Sequence, residues 1–160
     1  MTNKQISRTQ NSSTVARTAA RLGRQVDAAL AVVDLSSAQY RMLFQLAEGA
    51  EASTTLARKL EVSAPSVTAV VDGLVNRGLI IRSHSHLDRR KVSLDLTEAG
   101  RAVLVAADES VIERLMHVAG FVDEGQAYKL IDDLSLWAAA LDTRRAARLV
   151  KRARNEADGL

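Results

Sequence analysis

Cysteine is absent, proline occurs once, and aromatic side chains make up 3% of the 160 residues. Without cysteine, a disulfide framework, a thiolate zinc centre, an iron–sulfur cluster and a sulfenate-forming sensor are all excluded. No apolar run approaches the ~18 residues that a membrane-crossing helix needs. Residues 1–24 are polar with scattered Lys and Arg instead of a hydrophobic signal core, so a soluble, cytoplasmic protein with no membrane partner is expected. A Gly-rich phosphate loop and a nucleophile elbow are also missing, and the three His lack a recognisable acid or serine partner. The chain is therefore expected not to be an enzyme, and to carry no cofactor.

What is present is aliphatic and charged. The hydrophobic fraction of 47% rests on Ala, Leu and Val, which favour helix over an aromatic-rich β-sandwich. Net charge is only +3, but the charges are segregated. Residues 1–24 hold five bases (Lys4, Arg8, Arg17, Arg21, Arg24) and no acid, whereas residues 97–142 hold nine acids against three bases. Residues 82–91 carry four bases against Asp88, and residues 143–154 carry six bases (Arg144, Arg145, Arg148, Lys151, Arg152, Arg154) and no acid. Local basic patches on a nearly balanced chain point to a polyanion met at particular places.

Residues 1–13 are Ser, Thr, Asn and Gln rich and are expected to form a flexible basic arm. From Thr14, apolar residues at three- and four-residue steps (Val15, Ala19, Leu22, Val26, Leu30, Val33) predict a helix ending near Asp34. Ser36 or Ser37 caps a second helix over 38–48, stopped by Gly49. A short helix over 55–60 follows, and Ser63 caps a helix over 64–77 with Pro65 in its first turn and Gly78 as its stop. Two β-prone runs, 79–83 and 92–96, flank a polar basic tip. Helices are then predicted from Thr97 and Glu98 to about Ala119, and from Asp123 into the final basic run.

Short helix, tight turn, second helix opening with small hydroxyl residues, then a hairpin with a basic tip is the layout of a winged helix-turn-helix. In that arrangement the helix opening at Ser63 enters a DNA major groove and offers Ser66 and Thr68, while the hairpin places Arg89 and Arg90 beside the backbone or in the neighbouring minor groove. Arg77, His84, His86 and Lys91 complete the expected DNA-contacting set.

The chain resembles the MarR family of bacterial transcriptional regulators. The resemblance rests on residues 35–40 (Leu-Ser-Ser-Ala-Gln-Tyr), on Leu56-Ala57 and Leu60 with residues 62–68 (Val-Ser-Ala-Pro-Ser-Val-Thr), on Val71 to Leu74 with residues 76–80 (Asn-Arg-Gly-Leu-Ile), and on residues 88–101 from Asp88-Arg89-Arg90 to Ala99-Gly100-Arg101. It implies a winged helix-turn-helix lobe at 35–97 and a helical dimerisation region at 14–34 and 98–142; the charge pattern beyond them gives a basic helical extension at 143–160. The resemblance further implies a homodimer reading a pseudo-palindromic operator, with half-sites about one helical turn apart. By the same resemblance, the regulator is a repressor released by a small aromatic or phenolic ligand held between the dimer helices and the DNA-binding lobe. Two departures stand out. Family members often carry Arg where this chain has Ala69 and Gly73, and an acid where it has Leu87, so the 64–76 helix has no cation and only Asp72 as a charge.

Each assignment has a plainer counterpart. Arg89 and Arg90 also suit a solvated hairpin tip, and one of them also suits a pairing with Asp88. His84 and His86 alternate at strand spacing and suit phosphate contact, or a metal only with a third ligand; no metal site is expected. Tyr40 and Arg41, with Arg17, Arg21 and Arg24, are candidates for the anion crevice, or else packing and surface residues. Val15, Leu22, Leu130, Leu134, Trp137 and Leu141 are expected at the dimer interface. The Arg144 to Arg154 run serves either as a solvated helix end or as non-specific phosphate attraction. The competing functional class is an architectural or protein-interaction module with little sequence specificity.

Overall fold

The computed structural model describes the backbone of residues 3–49, 51–60, 62–84 and 92–158, and side chains within 13–49, 52–53, 55–60, 62–83, 93–148 and at 150. The order is α1 (Asn3–Val32), α2 (Ser37–Ala47), β1 (Glu51–Ala52), α3 (Ser53–Leu60), α4 (Ala64–Asn76), β2 (Ile80–His84), β3 (Val92–Leu96), α5 (Glu98–Ala119) and α6 (Glu124–Asp158). The fold is thus mainly helical with a small β wing, as expected. Two compact units divide it, residues 1–114 and 115–160.

The first unit is built around one apolar core. Leu30 of α1, Met42, Leu43 and Leu46 of α2, Leu56 of α3, Val67, Val71 and Leu74 of α4, Leu94 and Leu96 of β3, and Leu104 of α5 are all buried in it. Each such aliphatic contributes roughly 1.5–3 kcal/mol on leaving water, which outweighs the weak intrinsic helicity of elements as short as α3.

Helix ends follow local chemistry. Ser36 accepts from the Gln39 amide while the Gln39 side chain accepts from the Ser36 amide, a capping box that starts α2. Ser63 caps α4 through the Ser66 amide, with Pro65 in the first turn where a missing N–H leaves nothing unpaired. At its other end α4 closes in a Schellman motif: Leu79 N–H donates to Leu74 O and Gly78 N–H to Val75 O, with Gly78 at φ 68°. Helix α1 ends the same way, Leu35 N–H to Leu30 O and Asp34 N–H to Ala31 O, but the left-handed position is Asp34 at φ 55°. Asp tolerates that conformation better than most side chains.

Two differences from the sequence-based expectation have physical causes. Helix α1 already runs from Asn3, so the backbone of residues 3–13 is helical where a flexible arm was expected; extending an existing helix costs far less than nucleating one. The sheet has three strands, not two, in the order β1-β3-β2 and all antiparallel. Its extra strand, Glu51–Ala52 paired with Leu94 and Ser93, is too short to carry an alternation pattern.

Thr97 joins the wing to the helices. Its hydroxyl lies 2.8 Å from Gly78 O and 3.1 Å from Leu79 O, and it accepts from the Gly100 amide at 2.9 Å. Gly100 is required there: a Cβ would stand 2.0 Å from Leu79 O. In the second unit, the α5 end and α6 bury Ala119 and Ala127, and the rings of His117 and Phe121 meet edge to face at 5.7 Å. Among the described residues, no helix is long and apolar enough to cross a membrane.

Candidate nucleic-acid interface

Helix α4 turns Val67, Val71 and Leu74 into the core, so its opposite face is set by the helical period. Pro65, Thr68, Ala69, Asp72 and Asn76 are all exposed. The hydroxyls near its start are locally engaged. Ser63 and Ser66 share a hydrogen bond at 2.7 Å, and Thr68 donates to Ala64 O at 3.1 Å. Ser63, Ser66 and Thr68 thus come together on the exposed opening turns of one helix.

The single charge of α4 has a partner. Arg82 of β2 is ion-paired with the Asp72 carboxylate, fastening the base of the wing to the middle of the helix. The sheet register explains why: Arg82 pairs with Leu94 and lies two residues from Ile80, so it shares the face on which Ile80, Leu94 and Leu96 are buried, at its outer rim beside α4. Sequence reasoning counted Arg82 only among the basic residues of the wing, although the period of two from Ile80 carried the signal.

Arg77, expected to contact DNA, is engaged with Asp34. Its guanidinium donates to the Asp34 carbonyl at 2.6 Å and pairs with the Asp34 carboxylate at 3.2 Å. A cation at the carbonyl end of α1 also suits that helix's dipole. Arg77 thereby ties the end of α4 to the α1–α2 corner, a role for Asp34 that spacing alone did not suggest. His84 ends β2, and its side chain lies outside the described residues, as do His86, Arg89, Arg90 and Lys91.

Of the residues assigned to a ligand crevice, Tyr40 spans from α2 to α5, its hydroxyl donating to Asp108 at 2.6 Å. Burial, then the hydrogen bond to Asp108 and its negative charge, push the phenol up to about 12. Arg41 donates to the Ser37 carbonyl at 3.2 Å, and Arg17, Arg21 and Arg24 are exposed along α1. A cavity of about 450 Å³ opens beside this region, lined by Ala31, Asp34, Leu35, Ser36, Gln39 and Arg77, none of them among those five. Of the expected interface residues, Val15 on α1 and Leu130, Leu134, Trp137 and Leu141 on α6 are exposed, while Leu22 is half-buried.

The comparisons with known proteins agree with this geometry. The MarR family model matches residues 35–92, from the start of α2 into β3. YpoP of Bacillus subtilis, an uncharacterized HTH-type transcriptional regulator, is 41% identical over 81 residues, covering 50% of this chain and 57% of YpoP. The B. subtilis HTH-type transcriptional repressor YetL is 33% identical over 73 residues, 44% of each chain. The chain thus spans about half the length of these curated relatives. Among solved structures, the transcriptional repressor CouR bound to a 23-mer DNA duplex superposes with a TM-score of 0.63 at 29% identity, over 78% of this chain and 89% of CouR. Over the winged-helix lobe, residues 35–92, the chain is thus similar to the MarR family.

Proposed function

We propose that the protein is a homodimeric, sequence-specific DNA-binding transcriptional regulator that represses from a pseudo-palindromic operator. The observation that carries this reading is the exposed α4 face standing beside a wing whose base is fixed to it through Asp72 and Arg82. A helix held at a set angle to a hairpin is what simultaneous major-groove and backbone contact requires. The winged lobe of residues 35–97 does the reading, with Ser63, Ser66 and Thr68 at the groove and His84, His86, Arg89, Arg90 and Lys91 on the phosphates or the minor groove. CouR, with its duplex, supports the mode of binding, and the name of YetL supports repression.

Dimerisation falls to residues 14–34 and 98–142. On α6, Leu130, Leu134, Trp137 and Leu141 are 49%, 38%, 65% and 55% exposed in the single chain, at steps of four, three and four residues, an apolar stripe suited to a second copy. A small aromatic or phenolic acid is the releasing ligand, with Tyr40, Arg41 and the α1 arginines, Arg17, Arg21 and Arg24, as its nearest partners.

Footprinting on genomic fragments selected with the purified protein tests the reading. The expected result is a two-fold-symmetric protected site with half-sites about one helical turn apart, vacated on adding a phenolic acid from a panel. Sequence-indifferent binding governed by salt alone fits the architectural alternative, which the cation-free α4 favours.

A further inference from the structure

The groove-facing side of α4 lacks the groups that read guanine. Its exposed residues, Pro65, Ser66, Thr68, Ala69, Asp72 and Asn76, include no Lys or Arg, and the one carboxylate is held by Arg82. In the first two turns, the part of a recognition helix that meets base edges, the hydroxyls of Ser66 and Thr68 already have partners within the helix start. Beside hydroxyl oxygens that can still accept, these turns present hydrocarbon: the Pro65 ring, the Thr68 methyl and the Ala69 methyl. In the major groove only one base edge is apolar, the C5-methyl of thymine, whereas guanine presents two acceptors that call for a cationic fork.

We infer that α4 selects thymine through its C5-methyl group, with Thr68 and Ala69 as the specificity-determining residues and Pro65 beside them, so that the centre of each half-site is A·T. This rests on the DNA-binding reading above. Affinity then comes from contacts to the phosphates outside α4, and discrimination from methyl packing at α4 itself.

The test uses the full-length chain and the footprinted duplex, with the thymines of one half-site replaced singly by deoxyuridine, which removes only the methyl. Titration by fluorescence anisotropy is expected to show a loss of about fourfold at one or two positions, the equilibrium equivalent of one buried methyl group. At those positions Thr68→Ser or Ala69→Gly removes the preference for thymine over uracil, while Thr68→Val keeps it. Equal binding of thymine and uracil at every position overturns the inference, as does a preference that survives both Thr68→Ser and Ala69→Gly. So does a several-fold loss on replacing guanine with 7-deazaguanine in that stretch while the thymine methyls stay silent. Failure to retain any duplex in dilute buffer is a separate outcome, which removes the DNA-binding reading itself and this inference with it.

Discussion

At the scale of single residues, the contacts that matter most are those between groups far apart in the chain. Tyr40 and Asp108 are 68 positions apart, yet their bond links α2 to α5. Because the fold holds the Tyr40 proton more tightly than the unfolded chain does, its stabilising effect is complete below pH 10 and is lost as the pH rises through about 12. A phenolate absorbance step centred at about 12 is therefore expected, and Tyr40→Phe should abolish it. Asp108→Asn should move that step downward but not back to 10, since burial, the largest cause, remains. Two glycines give opposite expectations. Gly100→Ala drives a Cβ into Leu79 O and Leu96 and should cost about 1–3 kcal/mol in denaturant unfolding, whereas Gly23→Ala in α1 meets nothing within 4 Å and should gain about 0.5–1 kcal/mol. Neither the phenol's partner nor the constraint on Gly100 was legible in the sequence, because both depend on which distant atom packs alongside.

At the scale of elements, much more was legible. Ser36, Ser63, Pro65, Gly49 and Gly78 were read as caps and stops from local chemistry alone, and the structure uses each of them at a helix boundary. Ser36→Ala should lower stability by about 1 kcal/mol, measured by chemical denaturation, without moving the other elements. The exposed face of α4 was equally readable, since Val67, Val71 and Leu74 fix it by period. What local chemistry could not supply was tertiary pairing. Asp34 looked like an ordinary helix end, and its pairing with Arg77 follows only from the fold, which brings the two C-terminal turns together. Asp72 and Arg82 pose the same case. With both side chains about half exposed, at 50% and 47%, their ion pair adds little to stability, so Asp72→Asn should leave thermal unfolding nearly unchanged. It should nonetheless weaken duplex binding in an anisotropy titration, because the base of the wing is no longer fastened to α4.

At the scale of the whole molecule, the charge segregation seen in the sequence and the exposed apolar stripe of α6 make separate claims. Trp137→Glu or Leu134→Glu should yield a monomer by analytical ultracentrifugation and lose symmetric operator protection together, since half-site spacing is set by the pair. Truncation after Leu141 should leave the operator sequence unchanged while flattening the salt slope, if the six bases of residues 143–154 attract phosphate. An unchanged slope assigns that run to a solvated helix end. Within the first unit, the Thr97 oxygen stands at the place where the chain leaves α4, where the wing begins and where it finishes. The ribbon formed by β2 and β3 is in this way clamped at both roots to one atom. For the ribbon to swing from its base like a door, these bonds would have to break together.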